Sequence, residues 1–165
     1  MTDTRPRIII PITNTGKILE IAAVLLLLVL WMATIAFYFN LPQTIPIHYN
    51  AEGRPDDYGT KATIFILPAI ATIIYYGLTQ LNKYPHIFNY PTTITAENAV
   101  IHYTAATKMI RALKLIVVAM FLYINIAACL TALGKVNGLG WWFLPIMLIA
   151  LFSVIVWYFW KVRKK

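Results

Sequence analysis

The sequence predicts an all-α integral membrane protein, a bundle of four transmembrane helices with both chain ends in the cytoplasm. Of its 165 residues, 60% are hydrophobic, and the mean hydropathy of +0.70 exceeds that of ordinary globular domains. Four runs without a charged residue lie at 21–39, 62–81, 115–133 and 139–160. Each run has about the 20 residues that a helix needs to cross a bilayer core of roughly 30 Å. A soluble bundle would instead need a polar stripe on each helix.

The distribution of Lys and Arg predicts the orientation. Of the 14 Lys and Arg residues, Arg54, Lys61 and Lys135 lie in the connections that follow the first and third runs. The others flank the opposite ends of the runs, and positively charged short loops stay in the cytoplasm. We therefore predict that the N-terminus, the C-terminus and the connection between the second and third helices are cytoplasmic.

The chain is predicted to form a single membrane domain, residues 1–165. Its first half comprises a cytoplasmic, interfacial N-terminal segment at 1–16, the first transmembrane helix at 17–39, a long extracytoplasmic loop at 40–61 and the second helix at 62–81. Its second half comprises a cytoplasmic loop at 82–95, an amphipathic helix that continues into the third span at 96–133, an outer turn at 134–138, the fourth helix at 139–160 and a basic cytoplasmic tail at 161–165. Asn14 or Thr15 is expected to cap the first helix.

The sequence carries no recognisable catalytic or metal-binding motif. Its one cysteine, Cys129, lies inside the third apolar run, which excludes an intrachain disulfide and a multi-cysteine metal site. No His-x-x-x-His or Gly-x-Ser-x-Gly arrangement occurs. The chain also lacks the basic stripe with interleaved aromatic residues that nucleic-acid binding needs. We therefore expect a non-enzymatic protein without a cofactor, a metal or a nucleic-acid partner.

The densest polar chemistry lies in the loop 40–61. Its prolines stiffen the backbone, and Gly53 and Gly59 are expected to adopt positive φ at turns. A rigid, turn-rich loop of this length is typical of a recognition surface; the alternative is a polar lid over the helix ends. Although His48 and nearby carboxylates could hold a divalent ion, they lack the spacing of a metal loop. The candidate recognition or structural residues are Pro46, His48, Asn50, Gly53, Pro55, Asp56, Asp57, Tyr58, Gly59 and Lys61.

The predicted third helix is about 57 Å long at 1.5 Å per residue, so its first turns extend into the cytoplasm. An apolar seam on these turns could bind a partner, pair with a second copy or pack within the chain; it comprises Ala99, Tyr103, Ala106, Ile110 and Leu113. Lys108, Arg111 and Lys114 share one side of the helix and are expected to face lipid phosphates. Asn125 is expected to bond between helices in the bilayer. Glu20 is expected to interact with the dipole of the first helix.

The first half of the chain resembles a known family. The residues that carry the resemblance are Leu41-Pro42, Ile45-Pro46, His48, Asn50, Gly53, Pro55-Asp56, Tyr58-Gly59, Lys61 and Leu67-Pro68. They look like the bacterial family called domain of unknown function 1648, which forms the first two helices and intervening loop of SdpI-type immunity proteins. The resemblance implies a multi-pass protein of the bacterial cytoplasmic (inner) membrane. The Gly-x-Arg stretch followed by Ser, Asn and Trp that continues SdpI-type proteins does not occur after Pro91.

Three functions follow as hypotheses. The first is an immunity-like recognition or assembly protein whose outer loop contacts a peptide, a toxin or another membrane protein. The second is a receptor or sequestering protein that holds a cytosolic regulator through the helix at 96–114. The third is a small transporter or channel subunit, although few polar residues lie in the runs to line a path.

Overall fold

The computed structural model describes residues 5–163, which fold into four long helices and one β-hairpin. The helices are α1 (Asn14–Tyr38), α2 (Ile66–Leu81), α3 (Ala99–Ala132) and α4 (Phe143–Arg163), and the strands are β1 (Thr44–Tyr49) and β2 (Pro55–Thr60). Short 3₁₀ turns occupy Lys61–Phe65 and Pro85–Ile87. Within residues 5–163, four helices are long and apolar enough to cross a membrane, the second including the turn that precedes α2. Lys164 and Lys165 of the predicted tail lie outside the described residues.

The helix α3 is the centre of the bundle, because α1, α2 and α4 each pack against it. Midway along the bundle, Leu27 and Leu30 of α1 meet Ala71 of α2 and Val118 of α3 in a buried cluster. The opposite faces of α1, α2 and α4 leave many large apolar side chains exposed, such as Ile73 at 71%. An apolar outer surface of this kind is suited to lipid rather than water.

The helices α1 and α3 do not begin where the sequence predicted, and side-chain hydrogen bonds shape both starts. The cap of α1 is Thr13, whose side-chain oxygen accepts a hydrogen bond of 3.1 Å from the Gly16 N–H, so the prediction of Asn14 or Thr15 is wrong. The helix α3 begins at residue 99 rather than 96. Here the Asn98 side chain accepts from the Thr95 N–H at 2.9 Å and donates to the Thr93 carbonyl at 3.1 Å. These bonds close a turn that competes with the first turn of the helix.

The connections place the hairpin and the chain ends at opposite ends of the bundle. We call these the hairpin end, which also carries the α3–α4 connection, and the terminal end, which carries segments 5–13 and 82–98. At the terminal end, Tyr103 is buried against Ile8, Ile10 and Tyr90, and its hydroxyl donates to the Pro6 carbonyl at 3.1 Å. The first half of the predicted apolar seam therefore packs within the chain.

The loop at 40–61 is a β-hairpin, so the all-α prediction is wrong for this segment. β1 and β2 pair antiparallel, from Thr44 opposite Thr60 to Tyr49 opposite Pro55, with irregular register around His48. The strands show no alternation of apolar and polar residues, and both contain proline, which usually opposes a strand. A two-stranded sheet tolerates proline because each strand has an unpaired edge.

Candidate functional site

The hairpin is anchored to the helices by buried residues at the start of β1. Ile45, only 1% exposed, packs with Leu41 before the strand and with Ile64, Ala128 and Cys129 from the neighbouring helices. Pro46, the next residue of β1, is also buried. These contacts give the hairpin a fixed position that two isolated strands could not hold in water.

The turn of the hairpin is closed by Asn50 and joined to the α3–α4 connection. The Asn50 side chain accepts a hydrogen bond from the Arg54 N–H, and the Asn50 N–H donates to the Arg54 carbonyl, both at 2.9 Å. Gly53 has a φ of 74°, as predicted for a turn glycine, and its carbonyl accepts from the Leu139 N–H at 2.7 Å. A Cβ at residue 53 would lie 2.6 Å from the Gly140 carbonyl oxygen. Asn50 and Gly53 thus shape and anchor the turn.

Gly59 does not occupy a turn, and its φ is not positive, which corrects the prediction for this residue. It lies in β2 opposite Ile45, where a Cβ would be 3.0 Å from a side-chain carbon of Ile47. The glycine therefore provides space for Ile47 at the irregular part of β1. Pro55, the first residue of β2, lies beside Gly138 of the α3–α4 connection. A Cβ at residue 138 would be 3.2 Å from the Pro55 ring.

The outward surface of the hairpin is polar. His48, Asp56, Asp57 and Tyr58 are all exposed, and the His48 Nδ1 lies 2.5 Å from the Asp56 Oδ1. The Asp57 carboxylate accepts from the Tyr58 N–H at 2.8 Å, and Tyr58 is 56% exposed. Within residues 5–163, no group of three His, Cys, Asp or Glu side chains is close enough to hold a metal ion. The exposed polar side chains are available for contact with another molecule.

Two aromatic contacts join the hairpin to the bundle. Lys61, just after β2, places its ammonium 4.8 Å from the centre of the Tyr38 ring at the end of α1, a cation–π contact. Tyr49 packs against both apolar clusters at the hairpin end, and burial raises its pKa to about 12. Its phenol therefore stays neutral at physiological pH.

A second polar site, which the sequence did not predict, joins α1, α2 and α3 nearer the terminal end. Lys114 is fully buried, and its ammonium donates to a Glu20 carboxylate oxygen at 2.5 Å and to the Thr79 hydroxyl at 2.7 Å. The other Glu20 oxygen lies 3.2 Å from the Arg111 Nε. We call Glu20, Thr79, Arg111 and Lys114 the charge cluster.

The charge cluster corrects the prediction that Arg111 and Lys114 face lipid phosphates. Both turn toward Glu20, because a carboxylate inside the bundle offers a stronger partner than a distant headgroup. Lys114 lies about 27 Å along α3 from Ala132, close to one bilayer thickness of roughly 30 Å. Of the three predicted residues, Lys108 and Arg111 remain partly exposed, and Lys108 makes no contact with Glu20.

Asn125 lies between three segments nearer the hairpin end. Its side-chain oxygen is 3.2 Å from the Thr34 hydroxyl of α1, and its amide nitrogen donates to the Ile64 carbonyl at 3.2 Å. In a continuous helix that carbonyl would accept from residue 68, but Pro68 has no N–H. The Asn125 amide thus replaces the backbone N–H that Pro68 lacks. The sequence predicted a buried, hydrogen-bonded amide at Asn125, but not that its acceptor is the Ile64 carbonyl.

Comparison with known proteins gives one similar protein and one family model, and the family model covers the hairpin and parts of its flanking helices. The chain is 36% identical over 89 residues to an "Uncharacterized protein" of Archaeoglobus fulgidus, a match that covers 49% of each chain. The chain thus spans about half the length of the curated relative it matches. No solved structure matches it significantly. Residues 25–72, from α1 through the hairpin into α2, match the family model described as "Domain of unknown function (DUF1648)". The predicted resemblance to this family is therefore confirmed for the segment 25–72.

Proposed function

We propose that this protein is a non-enzymatic, multi-pass protein of the cytoplasmic membrane that recognises an extracytoplasmic peptide or protein with its hairpin. The observation that carries the proposal is the division of the hairpin into a buried start of β1 and an exposed, polar β2. Ile45 and Pro46 are buried, and Ile45 packs with Ala128 and Cys129 of α3. Asp56, Asp57 and Tyr58 of β2 are exposed.

The anchoring supports recognition because it lowers the cost of ordering a binding surface. The hairpin is attached at its base by Ile45, at its turn by the bond from Leu139 to Gly53, and beside α1 by Lys61. A surface that is already ordered loses little conformational entropy when a partner binds. A linker without function would not need three attachments.

The exposed side chains favour a partner with basic residues. Asp56 and Asp57 lie next to each other on β2, and the exposed Glu52 lies in the adjoining turn. Carboxylates on an interface steer an oppositely charged partner into place, and an exposed tyrosine such as Tyr58 is a frequent source of binding energy. The resemblance to SdpI-type proteins makes a secreted peptide toxin one class of partner, and a second membrane protein is the other.

The rival functions gain less support from the contacts. The seam proposed for a cytosolic regulator is occupied around Tyr103 by residues 6–10 and Tyr90. Two buried polar side chains that a transport path could use, Lys114 and Asn125, are engaged with Glu20 and Thr79 and with Thr34 and the Ile64 carbonyl. We therefore keep recognition through the hairpin as the proposed function.

Site-specific photo-crosslinking in intact cells tests the proposal. A photoreactive amino acid that replaces Tyr58 should give a discrete adduct, whereas the same group at Val136, exposed in the α3–α4 connection, should not. Asp56→Asn and Asp57→Asn should reduce the adduct at position 58 while the protein still accumulates in the membrane. Absence of an adduct at position 58, or a yield that ignores both substitutions, contradicts recognition by this surface.

A further inference from the structure

A groove opens at the terminal end between the start of α1 and the last turns of α4, with α3 as its floor. Its mouth has a volume of about 480 Å³ and combines Lys108, Lys161 and threonine hydroxyls with the apolar side chains of Val100, Ile101 and Ala105. A deeper part of about 320 Å³ shares Thr15, Lys108 and Trp157 with the mouth. Farther from the mouth, this deeper part is lined mainly by the apolar side chains of Leu19, Ala112 and Val154. The groove therefore carries two lysines at its entrance and has an apolar interior.

The entrance carries the positive charge of Lys108 and Lys161, which has no carboxylate partner in the described part of the chain. Among residues 5–163, no carboxylate forms an ion pair with Lys108 or Lys161, in contrast to Arg111 and Lys114 in the charge cluster. The Lys108 ammonium lies 5.2 Å from the centre of the Trp157 ring, which holds it at the entrance. The positive end of the α1 dipole, at Thr13, adds to the field. The entrance therefore attracts an anion.

The charged and apolar parts of the groove lie at the levels where a bilayer leaflet has its headgroups and its acyl chains. Along α3, Lys108 lies about 36 Å from Ala132, and Ala112 lies about 30 Å from it. Since the hydrocarbon core is roughly 30 Å thick and the headgroup layers extend beyond it, Lys108 lies among headgroups. Ala112 lies at the hydrocarbon boundary, and Leu19 and Val154 line the same deeper part of the groove.

We propose that this groove binds one anionic phospholipid. Its phosphate contacts Lys108 and Lys161, and one acyl chain runs along Leu19, Ala112 and Val154. A soluble anion would use the charged entrance but not the apolar interior, and a lipid without net negative charge would not balance the charge of the two ammonium groups. An anionic lipid satisfies both parts of the groove. The site does not depend on what the hairpin recognises.

Native mass spectrometry of the purified full-length protein tests the proposal with phosphatidylglycerol and phosphatidylcholine as probes. The wild type should retain one phosphatidylglycerol in preference to phosphatidylcholine. Because each basic side chain near a headgroup contributes roughly a fivefold gain in affinity, Lys108→Gln with Lys161→Gln should weaken phosphatidylglycerol binding about 30-fold. A matched pair, Lys17→Gln with Lys83→Gln, removes two exposed charges that do not line the groove and should retain wild-type binding.

A groove-filling variant examines the apolar part separately. Ala112→Phe should displace phosphatidylglycerol while both lysines remain, and its thermal unfolding in detergent reports whether the bundle is intact. Soluble glycerol phosphate should not compete with the lipid at equal concentration. Equal binding of both lipids, equal losses from the two lysine pairs, or full competition by glycerol phosphate would each overturn the proposal.

Discussion

Replacing Glu20 with glutamine would leave two cations in the bundle without their counter-charge. Lys114 is fully buried and would keep the Thr79 hydroxyl, at 2.7 Å, the Tyr75 ring, whose centre is 4.4 Å away, and at best the neutral amide oxygen of the new glutamine. Removing one partner of a buried ion pair costs about 3 to 5 kcal/mol. The Glu20 side chain is 23% exposed, so we expect the lower end, about 3 kcal/mol.

The variant Lys114→Met should behave differently although it removes the same ion pair. It replaces the buried cation with an apolar side chain of similar length, and Glu20 keeps Arg111 at 3.2 Å. We expect a loss of about 1 kcal/mol, since the large cost of breaking a buried pair comes from an uncompensated charge, and here Glu20 keeps the charge of Arg111. Glu20→Gln combined with Lys114→Met should therefore be about 1 to 2 kcal/mol more stable than Glu20→Gln alone.

Reversible unfolding in mixed micelles, with sodium dodecyl sulfate as the denaturant, measures these differences through the fluorescence of the five tryptophans. Lys83→Met, which removes an exposed charge at the same end, is the control and should change stability by less than about 0.5 kcal/mol. Strictly additive losses in the double variant, or a loss for Lys114→Met equal to that for Glu20→Gln, would refute the assignment of the stability to this ion pair.

Four further outcomes concern two glycines, Asn125 and the orientation. Gly53→Ala should cost about 2 kcal/mol or more, from left-handed backbone strain and the contact at 2.6 Å, and should speed proteolysis of the hairpin. Gly77→Ala, where nothing lies within 4 Å of the new Cβ, should instead stabilise α2 by up to about 1 kcal/mol in the same assay. Asn125→Leu should lower the free energy of unfolding by about 1 to 3 kcal/mol because the Ile64 carbonyl loses its donor. For the orientation, a membrane-impermeant maleimide should label Tyr58→Cys in intact cells and Lys161→Cys only after permeabilisation; the reverse pattern would exclude an extracytoplasmic hairpin.

Hydropathy predicted the four helices because lipid solvation demands long apolar runs wherever a chain crosses a membrane. It did not predict the hairpin, whose strands lack a repeating pattern and depend on contacts such as Ile45 with Ala128, far away in sequence. Local composition therefore suggested a loop, and tertiary packing decided otherwise.

The basic residues of α3 show a second limit of prediction from one sequence. Spacing places Lys108, Arg111 and Lys114 on one side of a helix, but it does not tell whether that side faces lipid or neighbouring helices. The rotation of α3 directs Lys114 toward Glu20 and leaves Lys108 beside Trp157. Glu20 is the lone carboxylate of α1, and this was the signal that could have suggested an ion pair.

The attachment of Gly53 to Leu139 bears on the order in which the protein is made. The segment 25–72, which matches the DUF1648 family model, is synthesised before α3 and α4. Its hairpin at that stage lacks Ala128 beneath Ile45 and the N–H donor for the Gly53 carbonyl. The hairpin therefore reaches its final position only after the α3–α4 connection has been made, and a truncated chain that ends within α3 would carry the matched segment without the bond from Leu139.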